Sequence, residues 1–153
     1  MAPQRHRYRF HGHWDLDAAP DAVYATLEAV EDYPAWWPQI SCARLDRHSG
    51  TLGVRSFLPH ELRLTARERR RDPRARVLEA ALDGDLTGRV RWSVLPHGTG
   101  SRARFEQDVE LRDPGMRRWA PLARPVFRAA HSWVMRRGRR GLRRRLERPA
   151  AGI

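Results

Sequence analysis

Between Gln39 and Leu111 the chain alternates apolar and polar residues in short runs, and turn residues interrupt each run before a helix could form. Six runs read as strands, at 39–46, 51–58, 61–70, 75–83, 86–96 and 101–111. The breaks are His48-Ser49-Gly50, Pro59-His60, Asp72-Pro73-Arg74, Gly84-Asp85 and Pro96-His97-Gly98-Thr99-Gly100, built from the residues that favour turns. A parallel pair needs a crossover of about a dozen residues or more, and no break is that long. The six strands are therefore expected to form an antiparallel meander of hairpins. Leu86, Gly88, Val90, Trp92 and Val94 share one face. In the last run Ala103, Phe105, Gln107, Val109 and Leu111 lie opposite Arg102, Arg104, Glu106, Asp108 and Glu110, so one side of the sheet is dry and the other wet.

The flanks complete the order of elements. Tyr8, Phe10, Gly12, Trp14 and Leu16 alternate with Arg7, Arg9, His11, His13 and Asp15, which predicts a further strand with one buried face. Pro20 suits the first position of a helix on which Val23, Tyr24, Leu27 and Val30 recur at helical spacing. Pro34 and Pro38 bracket a second short helix carrying Trp36 and Trp37. After Pro114-Gly115, Pro125 is expected to open a long helix reaching Leu146, with Val126, Phe127, Ala130, Trp133, Val134, Gly138, Gly141 and Leu142 as its buried stripe. At 1.5 Å per residue that helix spans ~33 Å, close to the length of a ten-residue strand, so it can lie along the dry face. The expected fold is one α+β domain over 1–148, with 149–153 a frayed tail. A curved seven-stranded antiparallel sheet wraps round a long C-terminal helix, and two short helices follow the first strand.

The 153 residues suffice for a single core. All 30 basic residues are arginine, as GC-rich coding would produce, and the net charge is +12. Two blocks carry the whole excess: 63–76 sets seven arginines against Glu68 and Asp72, and 136–148 sets eight against Glu147. Arg70, Arg71 and Arg74 in the first block and Arg140, Arg143, Arg144 and Arg145 in the second are the candidate anion-binding residues, for RNA, a ribosome or an anionic membrane. The simpler reading is a solvated hairpin tip and a solvated helix end. Cys42 is the only cysteine, which excludes an internal disulfide and a multi-cysteine metal site; it is expected to be a small buried apolar residue. His11 and His13 share a strand face without an evident third ligand, so no metal is expected, and no cofactor either. Gly-x-Ser-x-Gly and His-Glu-x-x-His are absent, Gly98-Thr99-Gly100 lacks phosphate-loop spacing, and Asp83-Gly84-Asp85 reads as a turn. With no apolar run of ~20 residues and no apolar leader, the expected setting is the cytoplasm, as a monomer or homodimer.

The segment Trp14–Ile40, WDLDAAPDAVYATLEAVEDYPAWWPQI, resembles the opening of the START-like polyketide cyclase/dehydrase superfamily, the birch-pollen-allergen fold. The ending His131–Leu146, HSWVMRRGRRGLRRRL, is similar to the last helix of bacterial members. The resemblance implies a helix-grip fold that holds an apolar ligand between sheet and final helix. Its members include aromatase/cyclases, coenzyme Q-binding proteins, lipid carriers and a ribosome-associated subgroup. No catalytic motif of the family can be carried over residue by residue.

Hairpin parity then places Trp36–Pro38, Leu58–His60, Asp83–Asp85 and Arg112–Met116 at one end of the sheet. The turns 48–50, 72–74 and 96–100 lie at the other end, with the finish of the long helix. The two arginine blocks are expected at one pole and a tryptophan-rich cavity mouth at the opposite one. A lipid-, quinone- or polyketide-like ligand would enter past Trp36, Trp37, Leu58 and Pro59 and bury apolar surface against Trp14, Trp92, Phe105, Val126, Ala130 and Trp133, with Trp119 also pointing inward. Core filling is the alternative for each. Ser56 and Gln107 are polar on apolar strand faces and need partners, either a ligand or a neighbour. His131 and Gln107 are the candidate catalytic residues should the same cavity cyclise or dehydrate a polyketide chain, and a satisfied histidine at the core edge is the alternative. Gly138 and Gly141 suggest close helix–sheet packing or a bend.

Overall fold

The computed structural model describes residues 7–58, 61–112 and 120–147, with side chains except at 42–45 and 120–123. The expectations for Cys42, Pro59, Trp119 and the tail lie outside what is described. Strand β1 (Arg7–Leu16) leads into α1 (Pro20–Glu28), a 3-10 turn (Val30–Asp32) and α2 (Tyr33–Trp36). Strands β2 (Ile40–Leu45), β3 (Ser49–Val54), β4 (Leu62–Asp72), β5 (Val77–Gly84), β6 (Leu86–His97) and β7 (Gly100–Leu111) follow, and α3 (Ala120–Glu147) closes the chain. The seven strands form one sheet in the order β1-β7-β6-β5-β4-β3-β2, every neighbouring pair antiparallel. The helix-grip architecture read from the sequence is the one observed.

Curvature comes from identifiable backbone. Gly88 sits at φ +151, a conformation side chains avoid, and a Cβ there would overlap the Asp108 carbonyl on the neighbouring strand. Register shifts between Cys42 and Arg44 and between Glu68 and Arg70 bend the far strands further. The concave face carries two apolar clusters. One gathers Trp14, Trp37, Trp92 and Phe105; the other gathers Tyr8, Leu64, Val109 and Phe127. Trp14 lies 4.8 Å from Trp92 and 5.5 Å from Trp37 between ring centroids, tilted or edge-on as aromatic quadrupoles prefer.

Several boundaries and faces depart from the sequence expectation. Strand β3 ends at Val54 rather than at 58, because Ser56 Oγ accepts the Leu58 N–H at 3.1 Å and turns the chain out of the sheet. Ser56 is thus satisfied locally, and it is not a buried polar group on a strand face. The β4–β5 turn falls two residues later than expected, between Asp72 and Val77: Asp72 Oδ1 accepts the Ala75 N–H and Arg76 adopts φ +54. Helix α3 begins at Ala120, so Pro125 lies inside it. A proline there forfeits one intrahelical bond, and the packing of Phe127 on Tyr8 holds the turn. Val126 is 41% exposed, against the expected buried position, while its neighbour Phe127 is buried as expected and Met135 joins the stripe. Trp133 is half-buried and meets Phe57 edge-on at the surface, at 6.0 Å.

Candidate functional site

The concave sheet and the segment that covers it leave a hollow of about 230 Å³. Its wall on the sheet side is Leu52, Ala66, Leu78, Ala80, Leu82, Val90 and Trp92, and Leu27, Val30 and Tyr33 roof it. The space exists because small residues meet on the concave face. Gly50 pairs with Ala66, Ala66 with Leu82, and Ala80 with Val90. The roof is pinned by the Tyr33 hydroxyl, which donates to the Leu27 carbonyl at 2.5 Å. The charged residues of the lining (Glu28, Glu31, Asp46, Arg47, His48, Glu68, Arg70, Arg71 and Glu79) belong to the end of the sheet that carries turn 46–48 and the β4–β5 hairpin. Glu68 organises this rim, with Oε2 2.6 Å from His48 Nδ1 and Oε1 2.5 Å from Arg71 Nε.

This corrects the expected mouth. Trp36 and Trp37 do not frame an entrance: each is 5% exposed and packed under α3. Trp37 Nε1–H donates to the Val134 carbonyl at 3.0 Å, and the two indoles stack at 5.5 Å. Of the residues expected to hold a ligand, Trp92 lines the cavity. Trp14, Phe105 and Ala130 are core, Val126 faces solvent, and Ser56, Leu58 and Trp133 belong to the surface around Phe57. The lining residues Leu78, Ala80, Leu82 and Ala66 were not singled out from the sequence. Their signal was present as a run of small and aliphatic residues on the dry face of two paired strands.

His131 and Gln107, picked separately, come together: His131 Nε2 lies 2.7 Å from Gln107 Oε1. With the amide oxygen accepting, Nε2 carries the proton. The imidazole stacks on Phe10 with ring centroids 3.5 Å apart. Burial, aided by the nearby Arg128 charge, pushes its pKa down to about 4, so the ring is neutral at pH 7. A neutral imidazole with so low a pKa is a weak base and has no proton to spare as an acid. Neither residue lines the 230 Å³ cavity.

The two arginine blocks lie at the same end of the sheet, as parity required, yet their charges are handled differently. In the hairpin, Arg70 pairs with Asp72 at 3.1 Å, Arg71 with Glu68, and Arg76 with Asp21 at 2.7 Å. In α3, Arg145 stands 3.9 Å from Asp32 and Arg143 3.5 Å from the Asp15 carbonyl. Arg74 is exposed at the hairpin tip. No group of three or more His, Cys, Asp or Glu among the described residues could hold a metal. None of their helices is long and apolar enough to cross a membrane.

Residues 7–147 match the family described as polyketide cyclase/dehydrase and lipid transport. The chain belongs to that family. No curated protein is significantly similar to it in sequence. Among solved structures, the Zhui aromatase/cyclase from Streptomyces sp. R1128 superposes with a TM-score of 0.75 at 15% identity, over 97% of this chain and all (100%) of that one. A START superfamily protein from Mycobacterium smegmatis gives 0.72 at 18% identity, covering 91% and 97%. Norcoclaurine synthase from Thalictrum flavum gives 0.63 at 13%, covering 93% and 88%. These likenesses carry the START-like fold. Within the polyketide cyclase/dehydrase family, this member places its apolar hollow under α1 and the 3-10 turn, with its charged rim beside the β4–β5 hairpin.

Proposed function

We propose that the protein binds and carries a small hydrophobic molecule in the cavity beneath Leu27, Val30 and Tyr33. The carrying observation is the lining itself, aliphatic and aromatic walls meeting a charged rim at one end only. At about 230 Å³ the hollow falls below the ~300–1,000 Å³ of most drug-sized sites, so a one- or two-ring body fits better than a long acyl chain. Burying roughly 150 Å² of apolar ligand surface contributes about 4 kcal/mol before the costs of association. The rim holds Glu28, Glu31, Asp46, Glu68 and Glu79 against Arg47, Arg70 and Arg71, which favours an uncharged ligand over an anionic one. Titration with 2-naphthol, followed by calorimetry and tryptophan fluorescence, is the test. One saturable site is expected, and Ala80→Phe, which fills the hollow from β5, abolishes it while the far-ultraviolet spectrum stays unchanged. Absence of saturable binding, or equal binding by Ala80→Phe, refutes the proposal.

Catalysis of cyclisation or dehydration is the second reading, favoured by family membership and by the meeting of His131 with Gln107. The depressed pKa of His131 and its place outside the cavity lining weigh toward binding without turnover.

A further inference from the structure

On the other side of the 30–39 segment, α2 and the last turns of α3 enclose a second hollow of about 220 Å³. Trp36, Gln39, Arg137, Arg140, Arg144 and Arg145 line it, and among the described residues its lining contains no acidic one. Arg137, Arg140 and Arg144 follow one another at three- and four-residue spacing, so their guanidinium groups share a helix face and repel unless an anion lies between them. Gly141, within the same lining, lets the Trp36 carbonyl come up against the helix, since a Cβ there would overlap that oxygen. Arg140 and Arg144 have no ion pair or hydrogen bond among the described residues, in contrast to the carboxylate-paired Arg70, Arg71 and Arg76 of the hairpin block.

Two lining residues also carry unpartnered polar atoms. Trp36 Nε1 and Gln39 Oε1 are buried without a hydrogen-bond partner among the described residues. Orphaned buried polar groups are costly and uncommon. Both atoms are closed to solvent as they stand, so rotation of the Trp36 ring and of the Gln39 amide is what would bring the indole N–H and the amide NH2 to an oxyanion in the hollow.

We infer that this α2–α3 hollow is a binding site for a phosphate group, whether of a small phosphorylated molecule or of a lipid headgroup. Guanidinium forks match phosphate geometry and form charge-assisted hydrogen bonds. The site is distinct from the apolar cavity, so it stands or falls independently of the carrier function.

The experiment is calorimetric titration of the full chain with inorganic pyrophosphate at two salt concentrations, alongside flotation with vesicles of phosphatidylcholine alone or mixed with phosphatidic acid. The expected result is saturable binding that weakens with salt. Arg140→Gln/Arg144→Gln should weaken it on the order of a hundredfold, about tenfold per lost charged hydrogen-bond donor. Arg69→Gln/Arg74→Gln removes the same charge from the hairpin block and should change it less than about twofold if the site, rather than net charge, binds. Trp36→Phe, which keeps the ring and loses the N–H, should weaken it severalfold. Binding of pyrophosphate assigns a free phosphorylated ligand. Binding confined to phosphatidic acid vesicles, through the same arginines, assigns a headgroup. Failure of both probes to bind, or equal losses in the two arginine pairs, overturns the inference.

Discussion

Replacing Gly141 by alanine sets two effects of opposite sign against each other. Alanine in a helix interior is favoured over glycine by about 1 kcal/mol, and Gly141 lies well within α3. The tertiary structure opposes this. A Cβ at 141 would overlap the carbonyl oxygen of Trp36 and stand 2.8 Å from its carbonyl carbon. Backbone cannot swing aside as the end of a side chain can, so α2 would have to withdraw from α3. Withdrawal would stretch the Trp37 Nε1–Val134 hydrogen bond, now 3.0 Å, and loosen the T-shaped contact between Trp14 and Trp37. Overpacking costs typically ~1–3 kcal/mol, and each weakened aromatic pair adds ~0.5–1.5 kcal/mol. Set against the propensity gain, the net loss is about 1–3 kcal/mol. Gly98→Ala is the comparator: its φ is +57 and nothing lies within 4 Å of the added Cβ, so conformational strain alone costs about 1 kcal/mol. Urea unfolding followed by tryptophan fluorescence and circular dichroism measures both. The packing argument fails if Gly141→Ala is as stable as the parent chain or more so.

Acid should weaken the fold through His131. Its pKa is held near 4 in the folded chain, below the ordinary 6.5 of the unfolded one. The neutral ring therefore contributes stability fully above about pH 6.5, and that contribution is lost as the pH falls toward 4, on the order of 2–3 kcal/mol. His131→Phe should flatten that part of the stability–pH curve, and an unchanged curve contradicts the assignment. Trp37→Phe, which removes the donor to Val134 while keeping a ring in place, should cost about 1–2 kcal/mol in urea unfolding. Phe57→Ser, at a ring 54% exposed, should shift stability by no more than about 0.5 kcal/mol in the same assay.

The reach of sequence reasoning shows in particular residues. Period-two alternation and short turns were enough for the antiparallel meander from β2 to β7, since each hairpin is a local decision, whereas β1 beside β7 pairs residues as distant as Arg7 and Glu110, which no local signal specifies. The concave face followed from the same parity, from Tyr8 through Trp14 and from Ala103 through Leu111. Gly138 and Gly141 were correctly read as points of close approach, but the approach is chiefly to Trp36 and Trp37, with Trp14 of β1 also touching Gly138. The helix phase holds at Phe127, Ala130, Val134 and Leu142, but Pro125 suggests a beginning where α3 in fact starts at Ala120, and Val126 faces solvent. Ser56 looked like a buried strand position until its hydroxyl was seen to accept a bond from two residues onward.

Local patterning thus determined the elements, the hairpin pairings from β2 to β7 and the sides they present, because strand period, turn chemistry and helix spacing act within a few residues; the β1–β7 pairing was settled by the tertiary fold. The position of the void was decided only in three dimensions. It depends on which small residues of neighbouring strands line it, Ala66 opposite Gly50 and Ala80 opposite Val90, and on where the 27–33 roof comes to rest. Charge behaved the same way. Two arginine blocks that look alike in the chain became a hairpin in which Arg70, Arg71 and Arg76 meet carboxylates and a helix face on which Arg145 meets Asp32 but Arg140 and Arg144 meet none among the described residues, since pairing depends on what folding brings within about 4 Å.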